Sequence, residues 1–337
     1  MRIGFDATAV APDGKGIARV ARSSVEALAR RGADVVALVQ DGVSLDAPLE
    51  VVRARPAVAW EQIGLAQAAR RFDVVLTFTE RLPLVPGGRF VVWLYELPER
   101  RLAQNRAAGA YQRGSDLVTR ALWRRSLSRA WRVAAGSEAT AKELRAALPE
   151  VDVRVVYPGL DSRFSPGEGG GRDRYLLHLG SADARDNTAT VLEAFARTRE
   201  RLSDPPRLVV AGGAAGPATE GVEFVGRVSD EELVALYRGA AAYVDATLYE
   251  GFGFQPLEAM ACGAPVVASN STSIPEVVGD AAVLVDPRNA GALADALARV
   301  LEEDGLAADL RRRGLERARE FTWDRTVDAL LELIGAA

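Results

Sequence analysis

Short apolar runs alternate with amphipathic stretches along most of the chain, and this alternation constrains the fold more than any other feature. Such a pattern is typical of parallel sheets with helices on both faces. In the first half it predicts strands at 2–5, 35–39, 74–78, 90–94, 133–135 and 153–156, and helices at 17–30, 63–71, 111–129 and 138–147.

The alternation stops in a segment rich in Gly and Pro, residues 158–172, and then starts again. The second half predicts strands near 175–179, 207–211, 222–225, 242–245, 265–268 and 282–285, and helices near 188–201, 230–238, 256–261, 290–301, 306–319 and 323–334. At 337 residues the chain is long enough for two domains. We therefore predict an α/β protein of two Rossmann-like domains, with ligands at the carboxyl ends of both sheets.

Composition argues against several classes of protein. A net charge of −4 gives no reason to expect a nucleic-acid partner, and no apolar run reaches transmembrane length. The single cysteine, Cys262, cannot form an internal disulfide and fits a reducing cytoplasm. The single histidine, His178, lies in an apolar run, where we expect a core residue. Without further His or Cys residues, the spacing of a metal site is missing.

Residues 249–276 carry the strongest chemical signal. Glu250 and Glu258 stand eight positions apart, with a Gly-Phe-Gly-Phe loop between them and Pro256 in the first turn of a predicted helix. Glycines let a backbone approach a ligand closely, and the start of a helix directs free N–H groups and a positive dipole end at that ligand. A ligand rich in phosphate suits such a place. The alternative is a plain strand–loop–helix connection with solvated glutamates.

Two stretches extend the pattern of this pair of glutamates in the same register. They read Leu-Glu-Ala-Met-Ala-Cys-Gly-Ala-Pro-Val-Val-Ala at 257–268 and Ile-Pro-Glu-Val-Val-Gly-Asp-Ala-Ala at 274–282. In this register the stretch resembles the Glu-x7-Glu signature of the retaining glycosyltransferases of family 4, which have the GT-B fold. The resemblance implies two Rossmann-like domains facing a cleft. Residues 1–160 would form the acceptor side and 161–318 the donor side, and 319–337 would cross back as a helix onto the first domain.

The resemblance also implies roles for individual residues. The substrate would be a nucleotide-diphosphate sugar, with no cofactor and no bound metal. Glu250 would contact the donor sugar at the catalytic centre, Glu258 would hold the ribose hydroxyls, and Arg185 would hold the leaving phosphates. The other expected donor-side residues are Gly16, Gly180, Ser181, Asn187, Gly226, Arg227, Val228, Tyr249, Gly251, Phe252, Gly253, Phe254 and Leu257. The expected acceptor-side residues are Gly14, Lys15, Arg19, Tyr95 and Glu96.

Two positions depart from the family pattern. Asp186 occupies the place of a lysine that usually neutralises the diphosphate. It would hinder departure of the leaving group unless it turns away or another arginine compensates. Tyr95 and Glu96 stand where many members have His-Asp. We interpret this pair as a reshaped acceptor pocket, with lost activity as the alternative.

Other functions stay open at this level. A pseudo-glycosyltransferase with a non-sugar donor is compatible with both departures. A nucleotide-sugar-binding protein without catalysis is an alternative from a different class, whereas the intact signature disfavours an epimerase. A pyridoxal-phosphate phosphorylase would need an anchoring lysine, and Lys15 and Lys142 are poorly placed for that role. The arginine-rich stretch 111–132 fits a solvated helix face better than a membrane-surface helix. The donor sugar, its base, the acceptor and the oligomeric state are not specified.

Overall fold

The computed structural model describes residues 1–10, 16–53, 56–85, 87–99, 110–167, 175–217, 219–303 and 305–335, with the backbone alone for 110–116. The chain divides into two compact units. The first comprises Met1–Gly159 and Thr322–Ala337, and the second comprises Leu160–Phe321. The chain therefore enters the second unit inside the segment rich in Gly and Pro.

The first unit is built on a seven-stranded parallel sheet in the order β3-β2-β1-β4-β5-β6-β7. Its strands are β1 Ile3–Asp6, β2 Val35–Val39, β3 Leu49–Val51, β4 Val74–Thr77, β5 Phe90–Leu94, β6 Arg132–Ala135 and β7 Val153–Val155. Its helices before the second unit are Ile17–Arg30, Ala57–Ala59, Leu65–Ala68, Ala110–Leu127 and Glu138–Ala147, with a π-helical turn at Trp60–Gly64.

Burial on both faces explains the composition of these strands. Every residue of β4 and β5 is buried, as expected for parallel strands covered on both sides by helices. The largest core side chains, Trp93 and Trp123, are almost fully buried. The core of the unit thus lies on both faces of its central strands.

The chain returns to the first unit for its last helix, Trp323–Ile334, as the family resemblance implies. This helix packs against Ile17–Arg30. Arg31 forms an ion pair with Asp328, and the Thr326 hydroxyl donates to the Tyr157 carbonyl at 2.8 Å.

The second unit contains a six-stranded parallel sheet in the order β10-β9-β8-β11-β12-β13. Its strands are β8 Tyr175–Gly180, β9 Arg207–Gly212, β10 Val222–Gly226, β11 Ala242–Val244, β12 Val266–Ser269 and β13 Val283–Val285. Its helices are Thr188–Arg201, Asp230–Gly239, Phe254–Ala261, Ile274–Val278, Ala290–Glu302 and Leu306–Ala318, with a 3-10 turn at Ala184–Asp186.

Both sheets reverse their strand order at one point. In the first unit the reversal falls between β1 and β4, and in the second it falls between β8 and β11. Ligands of open α/β sheets bind outside the carboxyl ends of the strands at such a switch point. A ligand site is therefore expected in the loops after these four strands. Among the described helices, none is both long and apolar enough to cross a membrane.

Candidate functional site

The switch point of the second unit holds the two loops that the sequence singled out. The loop after β8 contains residues 181–187, and the loop after β11 contains residues 245–253. A backbone hydrogen bond joins them, since the Leu248 N–H donates to the Arg185 carbonyl at 2.8 Å. The predicted phosphate-binding and sugar-binding segments therefore form one surface.

Gly253 sets the direction of the helix that follows the second loop. It is the N-cap of Phe254–Ala261 and has φ of 104°, a conformation that glycine adopts without strain. A Cβ at this position would also lie 2.7 Å from Ile274 Cδ1. The helix begins at Phe254, two residues earlier than the sequence suggested, and Leu257 and Glu258 lie inside it.

Glu258 is a buried carboxylate, only 5 % exposed. The Tyr237 hydroxyl donates to its Oε2 at 3.2 Å, and the Tyr237 ring contacts Tyr243 edge to face at 5.5 Å. Burial, and then the neighbouring Glu258 charge, raises the pKa of Tyr237 well above its usual value, so the phenol keeps its proton. Tyr237, which the sequence did not single out, therefore fixes the orientation of Glu258.

Glu250 lies half-buried in a loop that a second segment holds in place. The Thr272 hydroxyl accepts from the Glu250 N–H at 3.0 Å, and the Ser273 hydroxyl donates to the Glu250 carbonyl at 2.8 Å. The Ser271 hydroxyl donates to the Leu248 carbonyl at 2.9 Å. Ser271, Thr272 and Ser273 thus act as positioning residues for the Glu250 backbone. The Ser-Thr-Ser run after an apolar strand was the signal that could have found them.

Arg185 is held by a carboxylate of its own loop. Its Nε and Nη2 donate to Asp183 Oδ2 at 3.0 and 2.9 Å, and its backbone N–H donates to Asp183 Oδ1 at 2.9 Å. Burial would raise the pKa of Asp183, but these hydrogen bonds from Arg185 lower it below its usual value overall. A phosphate would therefore have to compete with an ionised Asp183 for this guanidinium.

Asp186 turns back into its own loop. Its Oδ2 accepts a hydrogen bond from the Ser181 N–H at 2.6 Å. The carboxylate that replaces the family lysine thus serves as a local cap, which is one of the two situations expected from the sequence. Its negative charge nevertheless remains next to the expected phosphate position.

Asn187 connects three loops at the carboxyl edge of the sheet. Its amide donates to the carbonyls of Ala246 and Pro287 at 3.0 and 2.7 Å, and its Oδ1 accepts from the Thr190 hydroxyl at 2.8 Å. Asn187 also has φ of 54°, a left-handed value that asparagine tolerates better than most residues. Every polar group of its side chain is therefore engaged in the framework of the loop.

The remaining donor-side candidates of the second unit fall into two groups. Gly180 ends β8, and a Cβ there would lie 2.5 Å from Thr188 Oγ1 and 2.9 Å from Ala214 Cβ. Tyr249 is half-buried, Gly251 and Phe252 are buried, and the ring centroids of Phe252 and Phe254 lie 4.8 Å apart. Three further candidates lie at the end of the edge strand β10, two strands away from β8: Gly226 and Arg227 are exposed and Val228 is half-buried.

Two buried titratable residues flank the second unit's loops. His178 is a core residue, as expected, because its ring nitrogens contact the Val244 carbonyl and the Thr188 hydroxyl at 3.0 and 3.1 Å. Burial lowers the pKa of His178. Asp245 follows β11 and was missed, although a polar residue at the carboxyl end of a strand is a usable signal. It accepts from the Thr247 N–H at 2.8 Å, and burial raises its pKa.

The acceptor-side candidates belong to the first unit. Gly14 and Lys15 lie outside the described residues. Arg19 lies half-buried in the first turn of Ile17–Arg30. Gly16, a donor-side candidate, also belongs to this unit and is the N-cap of the same helix, with φ of 60°.

Tyr95 and Glu96 directly follow β5 and are half-buried. The Tyr95 ring packs 5.4 Å from that of Trp93, and a Cβ on Gly136 would lie 2.6 Å from Tyr95 Cδ1. Burial raises the pKa of Tyr95 well above its usual value, so its hydroxyl is neutral. The residue that replaces the family histidine is thus a fixed, uncharged ring.

The switch point of the first unit holds a polar network that the sequence did not reveal. Asp6, the last residue of β1, accepts from the hydroxyls of Thr8 and Thr77 at 2.7 and 2.8 Å and from Trp60 Nε1 at 3.3 Å. Next to Trp60, Glu61 accepts from Arg81 Nη2 at 2.7 Å. Burial raises the pKa of Asp6 and of Glu61. Among the described residues, no group of three or more His, Cys, Asp and Glu is arranged to hold a metal ion.

Two family models match almost the whole chain. Residues 14–164 match the model described as "Glycosyltransferase Family 4", and residues 164–319 match "Glycosyl transferases group 1". The chain belongs to the GT-B glycosyltransferases of the family 4 type. This membership and the two parallel sheets confirm the predicted fold class and the prediction of a family 4-like glycosyltransferase.

A curated relative agrees with the family, and solved structures agree with the fold. The O-antigen chain mannosyltransferase B of Escherichia coli is 35 % identical over 166 residues, which is 44 % of this chain and 42 % of that protein. The chain spans about half the length of the curated relatives it matches. Sucrose-phosphate synthase from Thermosynechococcus elongatus superposes with a TM-score of 0.77 at 20 % identity, covering 99 % of this chain and 98 % of that one. Anabaena Alr3699/HepE in complex with UDP-glucose gives 0.76 at 17 % identity with both chains fully covered, at 100 % each.

Proposed function

We propose that this chain is a retaining glycosyltransferase that moves a sugar from a nucleotide-diphosphate sugar to an acceptor hydroxyl. The observation that carries the proposal is the junction at the β8–β11 switch point. There the Arg185 loop and the Glu250 loop are hydrogen-bonded, and the helix bearing Glu258 begins. These three side chains suit the three parts of one nucleotide-diphosphate sugar. Arg185 is a cation for the phosphates, Glu250 a carboxylate for the sugar, and Glu258 a buried carboxylate for the ribose.

Each residue has a stated task in this proposal. Glu258, oriented by Tyr237, accepts hydrogen bonds from two vicinal ribose hydroxyls. Arg185 and the N–H groups at the start of Phe254–Ala261 bind the diphosphate, where a helix dipole favours negative charge. Glu250 and the Gly251–Phe254 backbone contact the donor sugar, and residues 226–228 border the base. Binding of UDP-glucose by the HepE structure supports a nucleotide-sugar donor here as well.

The chemistry needs positioning and charge stabilisation more than a covalent partner. The bond between the anomeric carbon and the diphosphate oxygen breaks, and the acceptor oxygen forms its bond on the same face of the sugar. The acceptor proton passes to the departing diphosphate. Arg185 stabilises the charge that develops on this leaving group.

The test is a panel of UDP-, GDP-, ADP- and dTDP-sugars with hydroxylated acceptors, with the anomeric configuration of the product read by NMR. We expect one donor class to be consumed and the product to keep the donor's anomeric configuration. An inverted product contradicts the retaining mechanism. Saturable donor binding with neither transfer nor hydrolysis would instead establish a nucleotide-sugar-binding protein.

A matched pair of variants strengthens this test. Glu250→Gln should slow turnover, because it removes the charge next to the donor sugar. Glu223→Gln is the control, since Glu223 pairs with Arg207 at the surface of the same unit at 2.9 Å. Equal turnover in the two variants would remove Glu250 from the mechanism.

A further inference from the structure

Glu61 is placed where a ligand of the first unit would bind. The strand order reverses between β1 and β4, so the carboxyl ends of these strands form the switch point of the sheet. Trp60 is anchored to Asp6 at the end of β1, and the Thr79 hydroxyl, two residues beyond β4, donates to Glu61 Oε1 at 3.4 Å. The Glu61 carboxylate therefore lies next to the ends of both strands.

An unusual backbone holds this carboxylate. Trp60–Gly64 form a π-helical turn between two short α-helical segments. Gly64 is required there, because a Cβ would overlap the Trp60 ring. Such π-helical turns are rare in proteins, but those that do occur are frequently found at functional sites. Since the indole of Trp60 is tied to Asp6, the turn fixes the direction of the Glu61 side chain.

The Glu61 carboxylate retains capacity to bind a ligand. Glu61 is only 8 % exposed, and Arg81 Nη2 donates to its Oε1 at 2.7 Å. Its second oxygen, Oε2, accepts no hydrogen bond from any residue that the structure describes. A carboxylate oxygen can accept two hydrogen bonds, so Oε2 can take the donors of a ligand. Asp6 differs, because both of its oxygens already accept from Thr8, Thr77 and Trp60.

The charge near Glu61 selects the chemistry of the ligand. Glu80 is buried and close enough for its charge to oppose the ionisation of Glu61. Arg81, the cation of the pair, already faces the Glu61 carboxylate. A phosphate or carboxylate at Oε2 would meet like charge, whereas a hydroxyl group donates the hydrogen bond that Oε2 lacks.

We infer that Glu61 binds hydroxyl groups of a neutral, polyhydroxylated acceptor in the first unit, with Arg81 and Trp60 as its positioning residues. The inference rests on the proposed transferase function, and it adds both a residue and a substrate class to it. Neither Glu61 nor Arg81 is among the acceptor-side candidates that the sequence supplied. The neutral acceptor would bind through a pair of hydroxyls that share Oε2.

The test uses mannose, glucose and myo-inositol, each beside its monophosphate. Binding to the full chain is measured by saturation-transfer-difference NMR, and donor affinity is measured separately by calorimetry. We expect the parent to bind at least one neutral polyol more tightly than its monophosphate. Glu61→Gln keeps the shape of the side chain and should weaken binding of that polyol by about ten-fold or more. Its affinity for the donor should stay within about two-fold of the parental value.

Controls separate this inference from its alternatives. Glu50→Gln removes a carboxylate from an exposed ion pair with Arg71 in the same unit and should leave polyol binding unchanged. Three results would overturn the inference. The parent could prefer the monophosphates, the parent could bind no polyol, or Glu61→Gln could bind the polyol as tightly as the parent does. If Glu61→Gln does not fold, as shown by a lost melting transition, Glu61→Asp takes its place, because it keeps the charge but shortens the side chain. A folded Glu61→Asp variant that keeps the parental polyol affinity would then overturn the inference. Absence of donor binding would contradict the proposed function, whereas the difference in polyol binding between the parent and Glu61→Gln reports on Glu61.

Discussion

The Asp186 carboxylate accepts a hydrogen bond from the Ser181 backbone N–H at 2.6 Å and closes the loop after β8. Asp186→Ala leaves this N–H without its protein acceptor, so we expect a loss of about 0.5–1.5 kcal/mol in the free energy of unfolding. Asp186→Asn is the matched control, because its amide oxygen still accepts. Urea denaturation measures both variants. Equal stability of the alanine variant and the parent would mean that the hydrogen bond contributes nothing.

Asp183 and a donor diphosphate compete for the same guanidinium. Asp183→Asn removes the negative charge but keeps the side-chain shape, so we expect donor affinity to rise. Arg185→Ala should lower donor affinity by about 1.5–3 kcal/mol, the range for a hydrogen bond to a charged group. Calorimetric titration with the donor that the panel identifies gives both values. A weaker donor complex in Asp183→Asn would show that Asp183 prepares Arg185 for phosphate instead of competing for it.

His178 gives the stability of the protein a specific dependence on pH. Burial lowers its pKa in the folded state, so the unfolded chain takes up the proton first as the pH falls. The free energy of unfolding should therefore decrease as the pH falls below about 6.5, the pKa of histidine in the unfolded chain. The decrease amounts to at most about 1.4 kcal/mol per pH unit and ends when the pH reaches the folded-state pKa.

The comparison is with His178→Asn, which retains a donor and an acceptor but does not titrate. Both proteins keep the buried carboxyls Asp6 and Glu61, whose contributions cancel in the difference between the two pH profiles. Asp245 interacts with the charge on His178, so this difference reports on His178 together with Asp245. The chain has no other histidine. Parallel profiles across this range would show that His178 takes up its proton equally in both states.

The sequence predicted the sheets well, because buried parallel strands and the helices between them have distinct periodicities. It missed β3, a short edge strand whose residues Leu49 and Val51 are exposed and so lack an apolar run. It also placed a helix at 63–71, whereas the helical segment spans 57–68 and contains the π-helical turn. The packing of Trp60 over Gly64 produces this difference, and a helical periodicity does not encode it.

The sequence identified the site segments but not the contacts of their side chains. The glycine loop and the two glutamates follow a recognisable spacing, so their place beside β11 was predictable. The hydrogen bonds of Asp183 and Asp186 depend on how a 3-10 turn folds the loop back on itself. The partnership of Tyr237 with Glu258 joins two helices that are distant in sequence. Contacts of this kind arise from tertiary packing and have no local signal.

The most direct test of the proposed function is the affinity of one nucleotide-diphosphate sugar for the parent, Glu258→Ala and Tyr237→Phe, measured by isothermal titration calorimetry. Glu223→Gln serves as the control. We predict that Glu258→Ala weakens donor binding by about ten-fold or more, because a buried charged acceptor is lost. Tyr237→Phe should lose less, since it removes the residue that orients Glu258 and leaves the carboxylate. Parental donor affinity in a folded Glu258→Ala variant would contradict the proposed donor site.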